Sequence, residues 1–202
     1  GACSSPPASS RPRGTGYGSQ AVAQVEGRYS ELARAGKLFI CSPGVKAQWV
    51  APVTADPGTA AAYSVYNPPG SGVQLSILGV WGNTSGTQAI GAELWVGHPQ
   101  AEATAVTANT TGVLVKSTSG SGQSFPGFYA TGVTLDVAGA WMCVARGTGI
   151  AATQDGFPFV DLGGMFIVRP GHVFPAHWAC GTGTSPLCGV GMLVAVCELD
   201  VE

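Results

Sequence analysis

From Lys37 onward the apolar residues recur in short runs of two-residue period, broken by Gly, Pro, Asn and Ser. That is the pattern of β-strands joined by tight turns. The clearest run is 73–81, where Val73, Leu75, Ile77 and Trp81 alternate onto one face and Gln74 and Ser76 onto the other. Leu78 and Val80 then make both faces apolar, and a strand apolar on both sides belongs between two packed layers. Further strands are predicted at 37–41, 47–50, 61–66, 92–96, 104–108, 113–116, 133–137, 140–145, 165–169, 172–178 and 192–199. This succession predicts an all-β fold, a jelly roll or related Greek-key β-sandwich, rather than alternating α/β units. No internal repeat at the period of roughly 20–50 residues that marks propellers and solenoids is present.

The first residues follow a different pattern. Val22, Val25, Tyr29 and Leu32 recur at three- and four-residue steps, which predicts one amphipathic helix over 19–35 despite Gly27. Residues 1–18 are rich in Ser, Pro, Arg and Gly and offer no apolar face to offset the entropy of ordering. The chain therefore divides into a flexible N-terminal arm, 1–26, and a β-sandwich domain, 27–202. Arg11, Arg13 and Tyr17 are the arm's candidates for contact with a neighbouring subunit. The run Gly14-Thr-Gly-Tyr-Gly18 has the glycine content of a phosphate loop, but no strand precedes it and no Lys-Ser/Thr follows, so it is expected to be linker. Arg11 and Arg13 lack the apolar stretch that a secretory signal would place after them.

Composition changes the picture in one respect. Only 10% of the 202 residues are charged, Gly reaches 31 residues, and mean hydropathy is +0.25. Dispersed globular domains carry charge on about a quarter of their residues, so self-association is expected to cover much of this surface. Nine basic residues spread along a chain of net charge -2 give no footprint for direct nucleic-acid binding. No run approaches the ~20 apolar residues of a membrane-spanning helix.

Candidate chemistry is sparse. Of the six cysteines, Cys41, Cys143 and Cys197 sit in strand-like apolar runs and are expected to be core thiols. Cys180 and Cys188, separated by seven mostly small residues that could close a hairpin, are the candidates for a disulfide. His172 and His177 lie near Asp155 and Asp161, yet residues five apart on a strand face opposite ways, so structural histidines are expected there rather than metal ligands. Cys143 near Arg146 is expected to be a core cysteine beside a strand-end arginine. No Gly-x-Ser-x-Gly elbow occurs, and the eleven acids are dispersed, apart from Glu198, Asp200 and Glu202, which form an acidic face at the end of the last strand. No catalytic residue, cofactor or metal is therefore assigned, and the chain is expected not to be an enzyme. Trp49, Trp81, Trp95, Trp141 and Trp178 all fall in predicted strands and are expected to pack in the core or at subunit contacts. Asn83-Thr-Ser85 and Asn109-Thr-Thr111 match the glycosylation triplet but are expected to be turn residues.

Several segments together resemble a group of tailed-bacteriophage virion proteins. They are Gly27-Arg28-Tyr29 ahead of a β-run at Leu38–Cys41, and Tyr66-Asn-Pro-Pro-Gly-Ser-Gly72 leading into Val73-Gln-Leu-Ser-Ile-Leu78. Phe159-Val-Asp-Leu-Gly-Gly164 follows, then Arg169-Pro-Gly171 and a closing strand with an acidic residue. The order and spacing are similar over 27–202. The resemblance implies a virion location and a capsid decoration or cement subunit, assembled as a homotrimer on the major capsid protein or another virion protein. A second class of function, a carbohydrate- or receptor-binding sandwich of a phage tail or neck, would instead place Trp49, Trp95 or Trp178 exposed above a groove. A broad apolar patch on one flank would favour assembly.

Overall fold

The computed structural model describes residues 29–85, 92–102, 113–120, 122–146, 156–180 and 187–198. The chain divides into two compact units, Gly1–Ser30 and Glu31–Glu202. In the first, only Tyr29 and Ser30 are described, so the arm candidates Arg11, Arg13 and Tyr17 and the predicted absence of regular structure over 1–18 lie outside the described residues.

The helix predicted over 19–35 is, within the described residues, the short α1 (Ser30–Arg34). Tyr29 before it is a turn, and 19–28 of the predicted span lie outside the described residues. Glu31 and Arg34 pair at 3.2 Å along it. It ends at Gly36, whose φ of 69° sets up a reversal. The Gly36 N–H donates to Ala33 O at 3.0 Å and the Lys37 N–H to Leu32 O at 2.9 Å, the two bonds of a glycine-terminated Schellman cap.

The remaining elements are strands: β1 (Leu38–Pro43), β2 (Ala60–Asn67), β3 (Val73–Ser85), β4 (Glu93–Gly97), β5 (Gln100–Ala101) and β6 (Val113–Ser117), followed by β7 (Phe128–Thr134), β8 (Trp141–Arg146), β9 (Gly156–Val168), β10 (His172–Ala179) and β11 (Leu187–Glu198). They form two antiparallel sheets, ordered β6-β1-β11-β3-β9 and β7-β2-β10-β4-β8, with β5 added beside β10. The fold is the expected all-β sandwich. Its pairings nest: β1 with β11 and β3 with β9 in one sheet, β2 with β10 and β4 with β8 in the other.

The core fills the space between the sheets with Val65, Phe174, Ala176 and Trp178 from one side and Leu75, Ile77, Val80, Met192 and Val194 from the other. Tyr63 and Tyr129 stack with ring centroids 6.1 Å apart. Their hydroxyls reach across the core, Tyr63 donating to Cys188 O and Tyr129 to Val190 O, so two polar groups that would be costly to bury alone are satisfied by the β11 backbone. Asn67 does similar work at the end of β2, where its Nδ2 donates to Val73 O and Val168 O, both at 2.9 Å. Lys37 and Glu198 close the outer end of the β1–β11 pair with a 2.9 Å ion pair that holds the Glu198 carboxyl below the usual range.

Four strand predictions need correction. Residues 46–48 form a 3₁₀ turn instead of a strand over 47–50, and Val50 makes only an isolated bridge to Cys188. The backbone there is used to tie the two sheets together at their end, as described below. Trp81 does not share a face with Leu75 and Ile77: the pairing with β11 slips between Leu193 and Val194, where Gly79 and Ile77 are their respective partners, leaving Leu78 extra. A one-residue bulge inverts the alternation beyond it, so Val80 faces the core and Trp81 lies on the other side. The strand predicted at 133–137 is displaced to Phe128–Thr134, because Leu135 leaves the sheet to donate its N–H to Thr59 O at 2.8 Å. The one predicted at 165–169 extends back to Gly156; Gly163 and Gly164, with φ of 62° and 77°, accommodate a bulge within the strand rather than a turn ending it. Asn83, expected in a turn, lies inside β3 opposite Gly189. The predicted strand at 104–108 and Asn109 lie outside the described residues.

Candidate functional site

The strand β9 forms one margin of its sheet and β8 the corresponding margin of the other, and the two strands lie against each other. This flank carries the largest share of exposed apolar side chains in the described residues. Met165 is 70% exposed, Phe159 45% and Ile167 39%, all on β9, and Met142 on β8 is 45% exposed. The bulge explains the placement: the strand pairs Phe166 with Ile77 and Asp161 with Gly79, so residues 162–165 arch out opposite Leu78 alone. Leu162 and Phe166 point into the core while Met165 is left outside. Asp161 supports the arch by accepting the Gly163 N–H at 2.8 Å. Phe159 lies over Gly79 and beside Trp81, ring centroids 6.2 Å apart, where any Cβ on Gly79 would collide with the phenyl ring.

Beside Met165 and Ile167 opens a pocket of about 390 Å³ lined by His98, Pro99, Phe166, Arg169 and His172 as well. The turn Arg169-Pro170-Gly171-His172 builds one wall. The His172 N–H donates to Arg169 O at 3.0 Å, and Gly171 has φ 76°, the conformation that the third position of a Pro-Gly turn of type II requires. Arg169 and His172 therefore flank one tight turn between the sheets. His98, just past β4, is held from the other side: its N–H donates to Ala140 O at 2.9 Å and its ring meets Phe166 edge-on at 6.2 Å. Each imidazole has Nδ1 within hydrogen-bonding distance of a proline carbonyl, His98 of Pro99 at 3.0 Å and His172 of Pro170 at 3.1 Å. A carbonyl only accepts, so Nδ1 carries the hydrogen in both rings and Nε2 is the nitrogen left for another partner.

His177, paired with His172 in the sequence reading, is buried elsewhere. Its Nδ1 accepts the Trp178 N–H at 2.7 Å, and burial lowers its basicity. Among the described residues no three His, Cys, Asp or Glu side chains come together as metal ligands would. Arg146 is engaged with Glu93 at 2.9 Å, and the Cys143 thiol donates to Ala145 O at 3.4 Å.

Cys180 and Cys188, the candidates for a disulfide, are both free thiols. Backbone joins their ends of the two sheets instead. Val50 exchanges N–H···O bonds of 3.0 and 2.9 Å with Cys188, while the Val53 N–H donates to Trp178 O at 3.0 Å and the Cys180 N–H to Val53 O at 2.8 Å. Burial, with a smaller contribution from Glu93, pushes the Cys180 thiol up to about 11, and burial pushes those of Cys41 and Cys188 higher still. Thiolate is the reactive form, so these three are inert at neutral pH. An alkylating reagent at pH 8 is expected to modify the exposed Cys197 in the folded protein and to reach Cys41, Cys180 and Cys188 only after denaturation, without reductant. A Cys180–Cys188 linked peptide in a non-reduced digest would contradict this.

The tryptophans divide. Trp178 is 0% exposed in the core. Trp95 and Trp141 are half-buried, their indole N–H groups donating to Glu93 Oε2 at 2.9 Å and to Gly58 O at 2.8 Å. Trp49, which follows the 3₁₀ turn rather than lying in a strand, packs over Gly189 as Trp81 packs over Gly191, and the two line a slot of about 110 Å³ with Asn83 and Ser42. A wider groove of about 650 Å³ lies where β6 and β7 diverge, bordered by Lys116, Gln123, Phe125 and Phe128. The apolar flank and the slot could not be found from residue spacing, because both depend on the bulges in β3 and β9. No protein-family model matches the chain, and no curated protein or solved structure was found to be similar to it.

Proposed function

We propose that the protein is a structural subunit of a tailed-phage particle, a decoration or cement-like component that acts by assembly and not by turnover. The observation that carries this is the β9 flank, where Phe159, Met165 and Ile167 stand exposed along one strand of a chain with few charges. Exposed apolar side chains grouped on one marginal strand support an interaction site there. The nested pairing of β1 with β11, β2 with β10, β3 with β9 and β4 with β8 supports the finer reading of the sandwich as a jelly roll, an architecture used by viral capsid domains among others. That is analogy of fold, and the role rests on the flank. A closed ring of subunits, three by the resemblance to virion proteins, buries such a flank without open-ended growth.

Sedimentation at low micromolar concentration in high salt tests the reading. A stable oligomer is expected, since apolar burial is not screened as surface charge is. A soluble monomer under those conditions would refute the reading. Carbohydrate or receptor binding is the second reading, favoured by the Trp49–Trp81 slot over its glycine floor.

A further inference from the structure

We infer that the His98–Arg169–His172 pocket is the polar socket of the assembly flank and receives an Asp or Glu side chain from a second copy of this chain. The inference rests on the proposed assembly through β9 and adds the chemistry of the contact. Arg169 borders the pocket together with Met165 and Ile167, so a partner that covers those apolar side chains must also cover a guanidinium. Burying that charge without a counter-ion is costly, and a carboxylate is the group whose geometry matches it. Eleven acids against nine Lys and Arg in each copy make a second copy a chemically suitable donor. The two imidazoles suit the same guest. With Nδ1 fixed on Pro99 and Pro170, each presents Nε2, which donates a charge-assisted hydrogen bond to a carboxylate once protonated.

Among the described residues no acid lines the pocket. On the elements around it, Glu93 is paired with Arg146, Asp161 accepts the Gly163 N–H, and Glu102 accepts from Gln100 Nε2 and the Asp136 N–H, each at 2.8–2.9 Å. His177 on β10 is buried and engaged by the Trp178 N–H.

The test is the sign of one substitution. In a contact made only of apolar surface, Arg169→Met would remove a desolvation cost and tighten self-association. In a socket it leaves the partner's carboxylate unpaired, and the dissociation constant measured by sedimentation equilibrium should rise by about tenfold or more. Arg169 is exposed, so the variant should keep the wild-type circular dichroism and melting curve. An Arg169→Met variant that associates as tightly as the wild type, or more tightly, overturns the socket while leaving assembly intact. A monomeric wild type overturns the assembly reading, and the socket with it.

Discussion

Trp178→Ala is expected to lower stability by about 3–5 kcal/mol, the range for removing a fully buried aromatic side chain. The indole has no exposed surface and lies so close to β3 that a Cβ on Gly82 would fall 2.3 Å from its Cζ2. Gly82 is thus the seat on which the largest core residue rests. Gly82→Ala by itself should cost about 1–3 kcal/mol through overpacking, since the ring is held on all sides and cannot swing away as an exposed one could. Combined in one protein, the two changes should cost clearly less than their sum, because the added methyl occupies space that the missing indole vacates. Denaturant melts of the wild type, the two single variants and the double variant close the cycle. Additive losses would show that ring and glycine do not share that space.

Ile77→Ala and Trp81→Ala should behave oppositely to what their sizes suggest. Ile77 is fully buried opposite Val194, and its truncation is expected to cost about 2–5 kcal/mol. Leu75, equally buried, should respond alike. Trp81 is larger but lies half-buried on Gly191 outside the core, so its removal should cost less than half as much. The ranking follows from the bulge at Leu78. Equal or reversed losses, or an Ile77→Ala loss below about half a kilocalorie, would place β3 at the periphery and restore the unbroken alternation.

The same bulge marks where the sequence stops being informative. Class and layer were legible because short apolar runs between turn residues mark strands, and on β3 the inward Leu75 and Ile77 could be picked from alternation. A period counted through Leu78 misassigns Trp81, since whether one residue is extra depends on the partner strand and not on its own neighbours. Gly163-Gly164 failed for a related reason. Two glycines signal a break in any strand, and only the opposing Leu78 makes them a bulge that keeps β9 going and turns Met165 outward. The candidate site inherits this blindness. Arg169-Pro170-Gly171 was visible as a turn, but His98 lies over seventy positions earlier and meets it only through the β4–β10 pairing. Cys180 and Cys188 were judged by loop length alone, which is silent about the Val50–Val53 backbone that ties their ends.

The central position of β11 has a consequence for synthesis on the ribosome. This strand lies between β1 and β3, so each of those early strands lacks one of its two native neighbours until the late one has emerged. Through most of translation β1 and β3 each present an unpaired edge and an apolar face to the surrounding medium. Pairings between distant segments form slowly, and exposed edges in the interval recruit other chains. Nascent chains truncated before Leu187 should therefore be the aggregating species, and emergence of β11, rather than collapse of the earlier strands, ends that exposure.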